Sequence, residues 1–202
     1  MDPFFEDDFE PLATSAAVVN ATGPSPGSDD TLARELVGGR PLLVELVSRL
    51  QVLPLVVVVV RDEADAALVA GMDKTVALID PEWKEDAAPL RAGLDFLEQS
   101  SGFDQAFIVP IHTPLLEPGV LETLSVARRD AGTLIAVPKY RYVRGGPALI
   151  GSDLWPRFMG AEGDFDLDDQ LKVHPQWVTE VRVDYAPPRR IMTRDHLAEV
   201  AR

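Results

Sequence analysis

The chain has 202 residues, enough for one domain with a sizeable core, and its 46% hydrophobic and 26% charged residues are an ordinary globular balance. Lys and Arg number 19 against 33 Asp and Glu, a net charge of −14 that repels nucleic-acid backbones and acidic lipid headgroups. The absence of cysteine excludes disulfides, thiol nucleophiles and thiolate metal sites, and with no basic-then-apolar leader pattern the expectation is a cytoplasmic protein.

Residues 1–14 mix Phe4, Phe5 and Phe9 with acids and read as a mobile acidic tail, with a docking peptide as the other reading; residues 15–202 read as the domain. A short apolar run at 15–19 predicts a strand, followed by turn residues and a loop at 23–30. Leu42, Leu43, Leu46, Val47 and Leu50 recur at helical spacing behind Pro41. Residues 55–60 are β-branched on both faces, as in a central strand covered on both sides. Asp62 then caps a helix over 63–70. Strands follow at 76–79, 105–109 and 133–137, the last two closed by Pro110 and Pro138. Helices at 87–97 and 117–128 separate them. Residues 140–150 suggest an arm or hairpin around Gly145 and Gly146, residues 153–159 and 166–173 short helices, 178–183 a strand, and 194–200 a helix capped by Thr193.

Strands alternating with helices imply crossover units and a mainly parallel sheet: an α/β, three-layer, Rossmann-like fold. Open parallel sheets place ligands beyond the carboxyl ends of their strands. Here those ends are residues 20–27, 80–83, 110–114 and 138–146, each rich in Gly, Pro or polar residues.

Several segments in order carry a resemblance. They are Gly39-Arg40-Pro41-Leu42-Leu43, then Asp80-Pro81-Glu82-Trp83 with Leu90-Arg91-Ala92-Gly93-Leu94, then Ile111-His112-Thr113-Pro114-Leu115-Leu116. Val137-Pro138-Lys139-Tyr140 with Gly145-Gly146-Pro147-Ala148-Leu149, and the tail from Arg190 to Leu197, complete the series. Together they resemble the MobA-like nucleotidyltransferases, which attach guanylyl or cytidylyl groups to molybdopterin. The resemblance runs from about Ala16 to the C-terminus. It implies a GT-A-like nucleotidyltransferase sheet, a nucleotide or pterin ligand, and Mg²⁺ only with catalysis. Nucleotide contacts would fall at Gly23, Arg34, Asp80, Arg91 and Gly93, the metal position at His112, and the acceptor side at Tyr140, Gly145, Gly146 and Pro147.

The departures from that pattern lie at the chemistry. The family wraps the triphosphate in a loop with glycines, an Arg and a Lys, where backbone N–H groups and cations meet the departing charge. Here Gly23 survives, no cation precedes Arg34, Asp29 and Asp30 are anionic, and Pro24 and Pro26 lack an N–H. His112 replaces the metal-binding Asp, Gly146 a His, and Pro89 a Ser, while Arg190 and Met192 stand where the family has acids. Imidazole is a poor ligand for Mg²⁺. The resulting expectation is a family member with weak or no transferase activity; the alternative is a non-catalytic module binding a protein partner through the N-terminal segment and the old cleft. A third option is transfer to another acceptor with Arg34 and Arg91 as substitutes.

Other candidates divide between site and surface. Asp164, Asp166, Asp168 and Asp169 suit a solvated helix start better than a Ca²⁺ loop. His174 and His196 read as surface residues, and Trp83, Trp155 and Trp177 as core or interface. Lys139, Arg141, Arg144, Arg189, Arg190 and Arg194 either bind an anion or pair with the abundant acids.

Overall fold

A computed structural model of the protein describes residues 10–80, 87–160 and 167–201. In chain order the elements are β1 (Ser15–Asn20), β2 (Leu36–Val37), β3 (Arg40–Pro41), α1 (Leu42–Leu50), β4 (Leu55–Val60), α2 (Glu63–Val69) and β5 (Thr75–Ile79). There follow α3 (Ala88–Gln99), β6 (Gln105–Pro110), α4 (Gly119–Ala131), β7 (Ile135–Tyr140), β8 (Val143–Arg144) and β9 (Ala148–Gly151). The chain ends with α5 (Trp155–Met159), α6 (Leu167–Val173), β10 (Val178–Val183) and α7 (Arg194–Val200).

The sheet order is β10-β7-β9-β6-β1-β4-β5, with β8 on β7. β1 pairs in parallel with both β4 and β6, so the first strand lies inside the sheet and its carboxyl end opens between two crossovers. β9 is antiparallel to both β6 and β7. The expected mainly parallel sheet is therefore present with one inserted strand, made from the second half of the arm read at 140–150.

Alternation along β1 and β4 builds two cores. Ala17, Val19, Val56, Val58 and Val60 pack under α1 and α4, while Ala16, Val18, Val57 and Val59 pack under α3 and α5. Burying each Val on such a face stabilises the fold by about 1.5–3 kcal/mol. Helices on both faces make three layers. α3 approaches β1 closely because position 93 is glycine: a Cβ there would stand 2.3 Å from Val18 Cγ1.

One strand end and one ribbon differ from the sequence expectation. β7 continues through Pro138 to Tyr140. β9 leaves β7 after Ala136 and β8 joins at Lys139, so the missing N–H falls in the gap between them, where the Pro138 carbonyl accepts from Gly145 N–H at 3.0 Å. The ribbon β2–β3 was not anticipated; Gly38 and Gly39 turn it with φ of 58° and 81°, which non-glycine residues adopt at a cost.

Residues 10–14, expected within the tail, are tied to the body. Ser125 Oγ donates to the Pro11 carbonyl, Asp104 N–H donates to the Thr14 carbonyl at 3.1 Å, and Leu12 packs on the first core. Beneath them, buried Gln105 donates to Ser15 and Ser125 and accepts from Arg128, so the polar groups there are satisfied. Residues 1–9, the rest of the tail, lie outside the described residues. Among the described residues, no helix is long and apolar enough to cross a membrane.

Candidate functional site

The segment after β1 bonds mainly to itself. Asn20 Oδ1 accepts from both the N–H and the hydroxyl of Thr22, an Asx turn at the strand end. Ser25 N–H donates to the Asp30 carbonyl at 2.8 Å, Ser28 N–H to the Ser25 carbonyl, and Asp30 N–H to Ser28 Oγ. Leu32 N–H donates to the Gly23 carbonyl at 3.0 Å, and Ala33 N–H to Thr31 Oγ1. Gly23 itself faces Ile111, whose Cγ2 a Cβ would meet at 3.2 Å.

Two arginines lock this segment. Arg61, which the sequence reading passed over, donates from Nε to the Thr22 carbonyl at 2.6 Å and from Nη1 to the Asp29 carbonyl at 3.1 Å. Arg34 binds three acids: Asp65 at 2.7 Å, Asp62 at 2.7 Å and Asp30 at 3.2 Å. Asp62 also caps α2 by accepting from Asp65 N–H; that bond, then Arg34, holds its carboxyl below the usual range. Asp65 is fully buried, and burial pushes its carboxyl up despite the neighbouring guanidinium. Arg34 is thus committed to internal acids and is not among the residues lining the main cleft.

That cleft, about 880 Å³, opens beside this segment at the carboxyl ends of β1, β6 and β7. Side-chain parity explains its floor: Val18, Ile108 and Val137 point to the second core's face, and beyond the helices that cover it they border open space. Asn20, His112 and Thr113 line the strand ends. On the far wall the Tyr140 hydroxyl donates to the Gly146 carbonyl at 3.1 Å, and Gly145 lies so close to the ring that a Cβ would meet Tyr140 Cε2 at 2.8 Å. Burial pushes the Tyr140 phenol up to about 12. Buried Pro147 follows Gly146 behind that wall.

His112 stands on the cleft with its carbonyl accepting from Ile191 N–H at 2.8 Å, which brings the neighbouring Arg190 to the same mouth. Burial, then the Arg190 charge, lowers the imidazole to about 4, so the ring is neutral near pH 7. Arg144 and Lys172 also line the mouth. Arg144 shares Glu180 with Lys139, and these two cations hold Glu180 below the usual carboxylate range. Lys172 pairs with Asp169 at 2.6 Å.

The remaining candidates are dispersed. Asp80 and Arg91 flank a separate depression of about 320 Å³ with Asp95 and Met159, and Gly93 is committed to the α3–β1 contact. The site residues proposed from sequence therefore form three groups: Gly23 and Arg34 in the self-bonded segment, Asp80 and Arg91 in the depression, and His112, Tyr140, Gly145 and Gly146 on the cleft. Leu167 and Leu171 of α6, which also line the cleft, were invisible as site residues because their apolar spacing reads only as core. His174 stacks on Trp177 at 3.8 Å with Arg157 over the same ring, and Met192 N–H donates to His196. Trp155 is buried, and Arg189 pairs with Glu199. Trp83, Asp164 and Asp166 lie outside the described residues.

The described residues of the cleft do not suit the Mg²⁺ that the resemblance implies. At the metal position stands an imidazole with a guanidinium beside it, and among the described residues the cleft is lined by no carboxylate. Nor, among those residues, does any group of three or more His, Asp or Glu converge as a metal site requires.

Comparison with known proteins places the chain. Among curated proteins, none matches it by sequence. The homologue of Mycobacterium tuberculosis Rv0371c from Mycobacterium sp. strain JC1 superposes with a TM-score of 0.76 at 20% identity, covering 93% of this chain and 97% of that one. M. tuberculosis Rv0371c in complex with manganese gives 0.73 at 18% identity over 94% and 98%. CMP:2-keto-3-deoxy-manno-octonic acid synthetase complexed with CTP gives 0.69 at 14% identity over 93% and 97%. At such identities the likeness is one of fold. The MobA-like NTP transferase domain matches residues 27–177, three quarters of the sequence, and the chain belongs to that family.

Proposed function

We propose that this protein is a nucleotidyltransferase-family member that transfers nucleotide weakly or not at all and keeps the cleft beside His112 as a ligand-binding site. The observation that carries the reading is the state of the segment after β1. In nucleotidyl transfer an acceptor oxygen attacks the α-phosphorus, the bond to the bridging oxygen breaks, and pyrophosphate departs with charge that needs neutralising donors and cations. Here many of the segment's donors are engaged within it, Arg34 is held by three carboxylates and Arg61 by two carbonyls.

The molybdenum-cofactor link is the finer part of the proposal and rests on the resemblance alone. In that setting a pterin would occupy the cleft beside Tyr140, Gly145 and Gly146. The lack of cysteine suits a cytoplasmic location for such a protein. The CTP bound by the octonic acid synthetase illustrates what a transferase of this fold accepts; it is that protein's ligand.

A pyrophosphate-release assay with CTP or GTP, Mg²⁺ and a pterin acceptor tests the reading. The expected result is release well below the turnover of ordinary enzymes, down to none above a protein-free control. Turnover of about 1 s⁻¹ or more, the range of ordinary enzymes, would overturn it.

A further inference from the structure

Acids supply 33 of the 202 residues, yet among the described residues none lines the main cleft, while Arg144, Lys172 and Arg190 do. We propose that this cleft binds a small organic anion, an aromatic or apolar body bearing one carboxylate or phosphate head, with the head held by Arg190 beside His112 and no divalent metal. The inference deepens the reading above, because it takes the cleft as a binding site and names its ligand class.

The head end follows from charge. Arg144 is paired with Glu180, which it shares with Lys139, and Lys172 with Asp169. Arg190 forms no ion pair among the described residues. Among the described residues that line the cleft, Arg190 is the one cation outside an ion pair; it matches one anionic head, and its planar fork suits two oxygens at once. A polyphosphate would need several such cations. His112 adds a neutral imidazole, which donates one hydrogen bond and brings no charge.

The body end follows from the floor. Half-buried Ile108 and Leu167 present aliphatic surface there, backed by buried Val18, Val137, Leu90 and Leu171 of the second core. The volume of about 880 Å³ lies within the usual range for small-molecule sites. Apolar contact to such a floor contributes affinity only when the ligand has a body to bury, so a bare inorganic anion binds less well. The metal is dispensable because a fixed cation already stands where an acid would otherwise recruit one.

Titration calorimetry on the full chain in EDTA tests this with four probes: 1-naphthyl phosphate, 1-naphthoate, 1-naphthol and inorganic phosphate. One or both naphthyl anions should bind at least about tenfold more tightly than naphthol and than inorganic phosphate. The tighter of the two anions identifies the head. Arg190→Gln should weaken that anion by about tenfold, leave naphthol unchanged and keep the melting temperature, since Arg190 is exposed. Replacing EDTA with Mg²⁺ should change nothing. The assignment is overturned if no probe binds, if naphthol matches the anions, if Arg190→Gln is silent, or if Mg²⁺ is required. Pyrophosphate release at the turnover of ordinary enzymes in the transferase assay would instead overturn the reading of lost transfer and leave this titration standing.

Discussion

The segment after β1 and the cleft beside it share the carboxyl edge of one sheet but treat their cations in opposite ways. In the segment, Arg34 and Arg61 are turned inward onto three carboxylates and two carbonyls, and backbone donors bond to neighbours a few residues away. In the cleft, Arg190 faces open space beside a neutral imidazole, over an apolar floor. The comparison teaches that an arginine's position in sequence says little about its availability. What decides it is how many acceptors the fold brings within reach.

The largest expected effect comes from linking the two regions through β1. Gly93→Val forces a side chain against Val18, which is both core and cleft floor, and should cost about 3 kcal/mol by overpacking. Denaturant unfolding checks it, and ligand binding at the cleft should suffer before the segment after β1 does.

Arg34→Ala removes the partner of buried Asp65 and should destabilise by about 2 kcal/mol at neutral pH, a value kept modest because Arg34 is 35% exposed. The sign of its pH dependence is fixed. Asp65 binds its proton at higher pH folded than unfolded, so its contribution to stability falls as pH rises through that window. Losing Arg34 widens the window, and the variant's deficit against wild type should shrink as pH falls from neutrality. Asp62, held below the usual range, loses its contribution only at lower pH.

Arg61→Gln should cost about 1.5 kcal/mol by freeing the Thr22 and Asp29 carbonyls, with faster amide exchange at Ser25 and Asp30 and an unchanged cleft. Tyr140→Phe should be smallest, below about 1 kcal/mol, since only the bond to the Gly146 carbonyl is lost and the ring still packs on Gly145. Equal exchange rates at the segment in the Arg61 variant and wild type would break the contrast.

The sequence made the scaffold legible where patterning is local. The valine run of β4 and the caps Asp62 and Thr193 each mark their element directly, and the helices at α1 and α7 begin where the pattern places them. Pro138 misled because a proline tells nothing of which neighbour strand stands opposite it; here the neighbours change at that residue. β9 was hidden because four apolar residues after a turn do not declare their pairing partner. At the site, His112 and the Tyr140 arm could be picked out by resemblance. The fate of Arg34 could not, because Asp62 and Asp65 lie about thirty residues away and only the fold joins them. Arg190 is marked by the resemblance as replacing an acid, but its place on the cleft follows only from the fold, where Ile191 N–H bonds to the His112 carbonyl.

The most direct test of the central claim is calorimetric titration of CTP and of GTP with and without Mg²⁺. A segment already bonded to itself and a cleft lined by no carboxylate among the described residues predict no gain in affinity from the metal. A Mg²⁺-dependent gain of about tenfold or more, with exchange protection appearing at Gly23, would contradict the account.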